Sequence, residues 1–497
     1  MRRWPQRRRR LEFERQPIPE APIIVWFRRD LRLADHAALI AAEAAGAPIL
    51  PLYVLDDETP GRFRAGGASR WWLHGSLEAL DGALAKLGGS LVLRGGQAPS
   101  ALDALLAETG AAAIFATRGY EPWEAKLVQD IAKLSATRGV ELRLFPGRLL
   151  FEPEAIATKD GKPFRVFTPF WKACLAAPPP RAPLPTPKHL KFASAGSEKL
   201  SSWKLLPTRP DWAGGLRAAW QPGESAAQAR LEQFVDNGLA RYEDDRNLID
   251  DTTTSRLSPY LHFGEISPDQ VWHAVRHAAE RSHGKADKGA ESFLREIGWR
   301  EFCYHLLFHY PAMTTEPLRA EFARFPWRDD ATALHAWQRG ETGYPIVDAA
   351  MRELWQTGWM PNRARMIVAS FLVKHLLVPW QDGAAWFLDT LVDADLANNS
   401  AGWQWVAGSG ADAAPYFRIF NPVLQGEKFD PDGAYVRTWL PELAKLKAPD
   451  IHAPWQAPPL DLAAAGVTLG RTYPVPIVEH GQARTRALAA FKRLAKD

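Results

Sequence analysis

The sequence contains little cysteine and no apolar run long enough to cross a membrane. Only Cys174 and Cys303 occur among the 497 residues, too few for a disulfide framework or for the four thiolates that usually hold an iron–sulfur cluster. The apolar run MIVASFLVKHLLV is broken by Lys374 and His375, whereas a spanning helix needs about 20 apolar residues. The basic start MRRWPQRRRR lacks the apolar segment of a secretory signal. These absences predict a cytoplasmic protein.

Motifs for phosphate and metal binding are also scarce. No G-x-G-x-x-G follows the first apolar run, no Walker A motif occurs, and the formal match that begins at Gly408 opens no strand–turn–helix unit, which indicates chance. The pairs His273/His277 and His305/His309 have helical i, i+4 spacing but lack the glutamate of H-E-x-x-H. We interpret both pairs as ordinary helix-face residues and expect no metal site.

Charge is unevenly distributed along the chain. The formal net charge is +4, and because six arginines stand among the first ten residues, the rest of the chain carries −2. Residues 1–20 are therefore predicted to be a solvated basic extension, and any nucleic-acid contact must come from a local patch. The 21 tryptophans are numerous by contrast, and indoles both fill cores and stack on bases or flavins.

Hydrophobic periodicity divides the chain into three further parts. Between 21 and 150, short apolar runs such as IIVWF alternate with segments of helical spacing such as 76–89, which predicts an α/β domain with a parallel, Rossmann-like sheet. Residues 151–223 are rich in proline and predict a linker. Residues 224–497 show helical spacing with few β-branched runs, so we predict an all-helical second domain.

Three stretches of the helical part carry side chains suited to chemistry. The segment TSRLS at 254–258 is typical of either a helix cap or a phosphate site, because hydroxyls, amides and a guanidinium occur together. Glu296, Trp299 and Arg300 share a helix face, either as an ion-paired surface stripe or as the wall of a ligand site. Residues 391–430 interleave acids and amides with aromatics, which favours a face against a planar heteroaromatic ligand.

Four longer segments carry a resemblance to a known family. They are VWFRRDLR at 25–32, TGYPIVDAAMREL at 342–354, TGWMPNRARM at 357–366 and FNPVLQGEKFD at 420–430. With these motifs in order, nearly the whole chain resembles the photolyase/cryptochrome family, and within it the bacterial cyclobutane pyrimidine dimer photolyases. The resemblance implies an N-terminal α/β domain that carries an antenna pigment and an all-α C-terminal domain that binds FAD.

The resemblance also implies which residues bind FAD. Asp393 and Asp395 would lie around the ribityl chain and the flavin ring, and Asn398 would face flavin N5. Arg365 would pair with Asp393, and the TSRLS loop would hold the phosphates. The implied set is Tyr242, Thr254, Ser255, Arg256, Leu257, Ser258, Phe293, Arg365, Asp393, Ala394, Asp395 and Asn398.

The same resemblance implies a pocket for the DNA lesion. In it Glu296 and Asn362 would hydrogen-bond the pyrimidine edges, while Trp299 and Trp405 would give the dimer an apolar face. The remaining members of this set, in the pocket or at DNA-contacting positions, are Arg246, Arg300, Arg363, Met366 and Gln425.

The implied activity is light-driven repair of cyclobutane pyrimidine dimers in damaged DNA. The lesion is weakly stacked, so flipping it out costs little, and excited reduced FAD then donates an electron that splits the ring and returns. Glu296 would stabilise the reduced dimer if it is protonated or shares a proton. Trp403, Trp380 and Trp327 match the family's electron-transfer chain between flavin and surface, which would explain part of the tryptophan excess.

Two positions depart from the family pattern. Phe293 stands where many relatives carry a tryptophan near the flavin, so it packs but offers no N–H. In GYEPWEAK, Trp123 and Glu124 stand where folate-binding relatives often have Asn-Glu. A methenyltetrahydrofolate antenna held by Glu124 is expected, and 8-hydroxy-5-deazaflavin is the alternative.

Other functions compete with dimer repair. A cryptochrome-like photoreceptor has the same fold, but Asn398 and the Trp299/Met366 pocket favour repair, and no long tail follows Phe491. A (6-4) photoproduct enzyme is disfavoured because 362–366 lacks paired histidines. A light-independent flavoprotein or a plain DNA-binding module is the most distant alternative. We expect a carbon–carbon lyase that acts as a monomer on damaged DNA without a membrane.

Overall fold

The N-terminal part of the molecule is built around a parallel sheet. The computed structural model describes residues 21–249, 254–416 and 418–494, so the predicted basic extension at 1–20 lies outside the described residues. The strands run in the order β3-β2-β1-β4-β5, all parallel. They are β1 Ile23–Phe27, β2 Ile49–Leu55, β3 Val92–Gly95, β4 Ala113–Thr117 and β5 Glu141–Phe145.

Helices cover both faces of this sheet, which explains why β1 is buried at every position. Ile23, Val25 and Phe27 pack into the core on one face, and Ile24 and Trp26 into the core on the other. The crossover helices are α1 Ala37–Ala45, α2 Gly67–Lys86, α3 Ala98–Thr109 and α4 Glu124–Arg138. Parallel strands alternating with helices confirm the predicted α/β class.

The strand order reverses between β1 and β4, and the crevice beyond the carboxyl ends of strands at such a point is the usual ligand position in open sheets. Here it contains charged side chains. Arg28, which follows β1, forms an ion pair with Glu124 at the start of α4 and donates to the carbonyl of Thr117. The crevice of the sheet is therefore closed by a contact within the domain.

Residues 151–223 include two short helices and contribute buried side chains, among them Phe167 and Phe170, to the core. Phe192 forms an isolated bridge with Ile49 of β2, which lies before the part of β2 that pairs with β3. The two helices are α5 Phe167–Ala176 and α6 Gly214–Ala219.

The described residues from 224 onward form helices and single turns, with an isolated bridge between Leu469 and Tyr473. This confirms the helical class of the C-terminal part. The helices are α7 Glu224–Asn237, α8 Tyr242–Asp245, α9 Ser258–Phe263, α10 Pro268–Arg281, α11 Asp287–His309, α12 Ala331–Arg339, α13 Pro345–Thr357, α14 Asn362–Ser370, α15 Trp380–Thr390, α16 Leu396–Ala407, α17 Pro422–Phe429, α18 Ala434–Trp439, α19 Pro459–Ala465 and α20 His480–Leu494.

The glycine match at Gly408 has a structural explanation. Gly408 ends α16 in the left-handed conformation, so its G-x-G-x-x-G match opens no phosphate loop. Within the described ranges, no helix combines the length and the apolar character needed to cross a membrane, and no group of three or more acid, histidine or cysteine side chains is placed to hold a metal ion.

Candidate active site

The start of α16 gathers the acids of the predicted flavin site. Asp395 is the N-cap of α16 and accepts a bond from the backbone amide of Asn398 at 2.9 Å. A tight turn across Ala394 brings the Asp395 amide to 2.6 Å from the Asp393 carbonyl. Asp393 Oδ2 accepts from Arg365 Nη2 at 2.8 Å, so the predicted Arg365–Asp393 pair is present in the structure.

Asp395 is a buried anion fixed by its neighbours. Burial by itself would raise its pKa, but His262, Arg300 and a hydrogen bond from Tyr304 together lower it well below the usual range. Burial and the charge of Arg29 lower the pKa of His262 to about 4. His262 is therefore neutral at pH 7, with Arg29 beside its ring and Nδ1 lying 3.8 Å from Asp395 Oδ2.

Two asparagines follow on α16 and point to different places. Asn398 donates its side-chain amide to Asp395 Oδ1 at 2.7 Å. Asn399 donates to the carbonyl of Ala384 at 2.9 Å and lines a cavity between the two domains. The role facing flavin N5 was assigned to Asn398 from the resemblance; Asn399 is a second candidate that sequence reasoning missed, and the assignment stays a prediction.

The TSRLS loop places its arginine between two indoles. Arg256 has a positive φ of 51°, and its guanidinium lies 5.3 Å from the ring of Trp220 and 4.7 Å from that of Trp359. Trp359 also donates to Ser258 Oγ at 3.2 Å. Among the described residues, no side chain caps the start of α9, so the loop offers backbone amides, the hydroxyls of Thr254 and Ser255 and a nearby cation.

Tyr242 and Phe293 form an aromatic wall. Their rings meet edge to face with centroids 5.3 Å apart, and Phe234 packs against both. Burial raises the pKa of the Tyr242 hydroxyl far above its usual value, so the ring stays neutral. Leu257 is fully buried behind the loop.

These residues fit a bound flavin dinucleotide. Asp393 Oδ1 and Trp403 Nε1 are both buried and find no hydrogen-bond partner within the described part of the chain, and buried polar atoms are usually satisfied. A polar heterocycle supplies such partners. The open amides and hydroxyls of the 254–258 loop suit phosphates, while Tyr242, Phe293 and Leu257 supply apolar surface.

At the predicted lesion pocket, Glu296 and Arg246 form an ion pair. Arg246 Nη1 lies 2.6 Å from Glu296 Oε1 and 3.2 Å from Ser292 Oγ. Its guanidinium also stands 5.7 Å from the ring of Tyr242. The acid predicted to bind the lesion and a cation predicted to bind DNA therefore hold each other in the free protein.

The other predicted lesion residues differ in their contacts and in their exposure. Arg363 donates to Asn247 Oδ1 at 2.6 Å and stacks on Phe429 at 4.4 Å. The charge of Arg246 adds to burial in lowering the pKa of Arg363, which shows that the two guanidinium groups are neighbours. Asn362 is exposed, and the half-buried members of the set are Trp299, Met366, Trp405 and Gln425.

Arg300 is turned inward. Its side chain is 11% exposed, it pairs with Glu301 at 3.1 Å, and it lies 4.9 Å from the ring of Tyr304. Its charge also contributes to lowering the pKa of Asp395. This place favours a role beside the flavin site; the DNA contact implied by the resemblance stays a prediction.

The three predicted electron-transfer tryptophans lie in and against one core cluster. Trp403 and Trp380 are 2% exposed, and Trp327 packs on Phe325 at 4.4 Å. Helix α15, which begins at Trp380, comes so close to Trp403 that a Cβ on Gly383 would lie 2.1 Å from its indole. Trp337, which was not predicted from the sequence, places its ring 6.1 Å from that of Trp403, and only the folded structure brings the two together.

A cavity of about 400 Å³ opens between the two domains, and of the two predicted antenna residues only Trp123 contacts its lining. Trp123 stacks on Phe63 with centroids 6.2 Å apart, and Phe63 lines this cavity. Glu124 instead is held by Arg28 at the sheet crevice. The full lining is Asp57, Arg62, Phe63, Arg64, Ala65, Gly66, Gly67, Arg70, Thr314, Gln381, Ala384, Ala385, Leu388, Asp389, Leu396, Asn399 and Ser400.

Comparison with known proteins agrees with this geometry. Residues 23–188 match the family model of DNA photolyase, and residues 293–493 match that of the FAD binding domain of DNA photolyase. A deoxyribodipyrimidine photo-lyase of Agrobacterium fabrum is 52% identical over 96% of this chain and 99% of its own length. Cryptochrome-1 of Arabidopsis thaliana is 41% identical over 95% of this chain and 70% of its own length.

Solved structures agree as well. The crystal structure of a bacterial class III photolyase from Agrobacterium tumefaciens superposes with a TM-score of 0.93 at 51% identity, covering 97% of this chain and 99% of that one.

Proposed function

Since the chain belongs to the photolyase/cryptochrome family, we propose that it is a DNA photolyase, which repairs cyclobutane pyrimidine dimers with an electron from light-excited, reduced FAD. One observation carries the proposal beyond family membership. Tyr304 of α11 donates to Asp395, which lies two residues after Asp393 and its unsatisfied oxygen, and the same helix carries Glu296 and Trp299. A flavin site and a lesion surface therefore share one helix.

In this reaction the protein's own residues bind the DNA, orient the cofactor and give the extruded dimer an apolar surface. Asp395 and its partners form a fixed anion that orients the polar edge of the bound cofactor. Trp299 and Trp405 offer apolar surface to an extruded dimer, and Arg246 and Arg363 are placed to meet phosphates. When Arg246 turns to a DNA phosphate, Glu296 loses its cation and becomes available to the pyrimidine edge.

Light-dependent repair is the direct test of this function. The purified protein is reduced, mixed with an oligonucleotide that contains one thymine dimer, and split into illuminated and dark samples. We expect the dimer to disappear only under blue light. Photoreduction of bound FAD with no loss of dimer would instead support the cryptochrome-like photoreceptor, which the 41% identity to a plant cryptochrome keeps as the alternative.

The antenna forms a second part of the proposal. We propose methenyltetrahydrofolate in the interdomain cavity, with 8-hydroxy-5-deazaflavin as the alternative. The volume of this cavity, about 400 Å³, falls within the range of small-molecule sites. Phe63 and Trp123 offer aromatic surface for the pterin ring. The guanidinium groups of Arg62, Arg64 and Arg70 suit the carboxylates of a folate tail.

Chromophore extraction tests the antenna. Phe63→Ala is expected to lose the second chromophore while FAD content stays at the wild-type level, as read from absorption spectra before and after extraction. Trp355→Ala is the comparison variant, because Trp355 is 58% exposed and stacks parallel to Trp386 at 5.9 Å on another surface. If Trp355→Ala lost the second chromophore and Phe63→Ala kept it, the antenna site would instead lie at the surface around Trp355.

We also propose that the protein acts as a cytoplasmic monomer on damaged DNA. The exposed cations and the half-buried pocket serve a single duplex without a second copy of the chain. Sedimentation with and without dimer-containing DNA tests the stoichiometry, and one protein per lesion is the expected result.

A further inference from the structure

Trp299 is supported from behind by helix α5, which lies in the segment between the two domains. The Phe167 ring stacks on Trp299 with centroids 3.7 Å apart and an interplanar angle of 8°. Phe302 meets the same indole edge-on at 5.9 Å. Trp299 remains half-buried, and because Phe167 covers one face of the indole, a lesion that stacks on Trp299 would have to meet the opposite face.

Helix α5 holds α11 through two aromatic residues at i and i+4. Phe167 covers Trp299, and Trp171 lies against Gly298, where a Cβ would stand 2.6 Å from the indole. Glycine inside a helix is unfavourable, so the close approach of Trp171 gives Gly298 a structural reason. The two contacts fix the backbone and the side-chain plane of the lesion-facing residue together.

The first turn of α5 is also bound to the other wall of the pocket. The Phe167 amide donates to Asp412 Oδ2 at 3.1 Å. Asp412 has a positive φ of 47°, uncommon for a residue with a side chain, and it lies in the loop that follows α16, the helix that carries Trp405. Helix α5 thus contacts the element that carries Trp299 and the loop after the element that carries Trp405.

We propose that Phe167 is a positioning residue for lesion recognition, which sets the plane of Trp299 before DNA arrives. This rests on the proposed function, since Trp299 must be the surface that the extruded dimer meets. A cyclobutane dimer has lost the planar aromatic character of its two bases, so it stacks weakly and gains from a surface that needs no reordering. Fixing a side chain in its bound orientation reduces the cost of binding.

Two matched substitutions in α5 test this. Phe167→Leu removes the ring on Trp299, whereas Phe170→Leu removes an equally buried ring that packs on Phe302 and His305 instead. Affinity for dimer-containing and undamaged oligonucleotides is measured by titration. We expect Phe167→Leu to lower the preference for damaged DNA about three- to tenfold, while Phe170→Leu keeps it even where thermal stability falls equally.

Two further variants separate positioning from packing. Phe167→Tyr keeps the ring and is expected to restore the preference. Asp412→Gly removes the cap without touching a ring, relieves the positive φ, and is expected to lower the preference less, about twofold. An unchanged preference in Phe167→Leu and Asp412→Gly, with lower melting temperatures, would overturn the proposal. A wild-type protein without preference for damaged DNA would overturn the proposed function instead.

Discussion

At the scale of single residues, the 2.6 Å contact between Glu296 and Arg246 joins lesion chemistry to DNA binding. Each partner compensates the charge of the other in the free protein, and both are about one-quarter exposed. Surface pairs of this kind contribute little stability. We interpret the pair as a contact that DNA binding can replace, because a DNA phosphate can take the place of Glu296 as the anionic partner of Arg246.

Removal of Glu296 should therefore separate repair from binding. We expect Glu296→Ala to lower the number of dimers split per absorbed photon about tenfold, because the hydrogen bond to the reduced dimer is lost. Binding should fall less, since Arg246 is left free for phosphate. Both quantities are measured on one dimer-containing oligonucleotide. Glu291→Gln, an exposed acid on the same helix, is the control, and a larger loss in binding than in yield would contradict the lesion contact.

Substitution of Trp380 should separate photoreduction of bound FAD from dimer repair. The side chain is 2% exposed, and Phe fills most of its volume but is much harder to oxidise. We expect Trp380→Phe to abolish photoreduction of bound oxidised FAD while chemically pre-reduced protein repairs at nearly the wild-type rate. Trp203→Phe is the control, because Trp203 is partly buried and packs against a different core cluster. Equal losses in both assays would remove Trp380 from the electron-transfer chain.

At the scale of secondary-structure elements, α15 and α16 pack as closely as their glycine allows. A Cβ at Gly383 would meet the Trp403 indole at 2.1 Å, whereas a Cβ at Gly402 meets nothing within 4 Å. Both glycines lie inside helices. The pair therefore forms a natural comparison between a glycine needed for close approach and one that is not.

Alanine at these two sites should have opposite effects. Gly383→Ala should destabilise the protein by about 1–3 kcal/mol through overpacking and slow photoreduction by displacing Trp403. Gly402→Ala should stabilise it by about 0.5–1 kcal/mol, the cost of glycine inside a helix. Urea unfolding and the rate of flavin bleaching under light measure the two effects. Stabilisation by Gly383→Ala would show that the helices can move apart freely.

The bounds of the strands and helices show which elements can be predicted from the sequence. The central strands β1, β2 and β4 were predictable because each is a short apolar run, and β1 at 23–27 coincides with IIVWF. Helix α2 begins at Gly67, nine residues before the predicted segment at 76–89, because its first amide is bound by Asp389 of the helical domain at 2.8 Å. A helix start that depends on a residue 322 positions away leaves no local signal.

The site residues, too, divide into those with a local sequence signal and those that depend on distant residues. The acids at 393 and 395 stand out in a polar, aromatic stretch, so their local pattern indicated a ligand. The partner of Glu296 lies 50 positions away, and Phe167 comes from a segment that reads as a linker. Contacts of this kind arise from tertiary packing, which periodicity and spacing do not encode.

At the scale of the whole molecule, one buried acid joins the two domains. Glu265, in the turn between α9 and α10, accepts from Trp72 Nε1 at 3.1 Å and Ser76 Oγ at 2.6 Å, both on α2 of the sheet domain. It also accepts from the Gly223 amide at 2.6 Å. Burial raises the pKa of Glu265 to about 8, against the three hydrogen bonds and with the help of nearby Glu224.

This raised pKa predicts the pH dependence of stability. Between about pH 4.5 and 8 the folded state holds a proton on Glu265 that the unfolded chain has released, so stability falls as pH rises, by at most about 1.4 kcal/mol per pH unit for one proton. We expect Glu265→Gln, which resembles the protonated acid, to flatten the dependence of the urea midpoint on pH between 5 and 8. Glu232→Gln, an exposed acid on α7, should leave the slope unchanged. An equal slope in wild type and Glu265→Gln would mean that the interdomain carboxyl stays ionised in the fold.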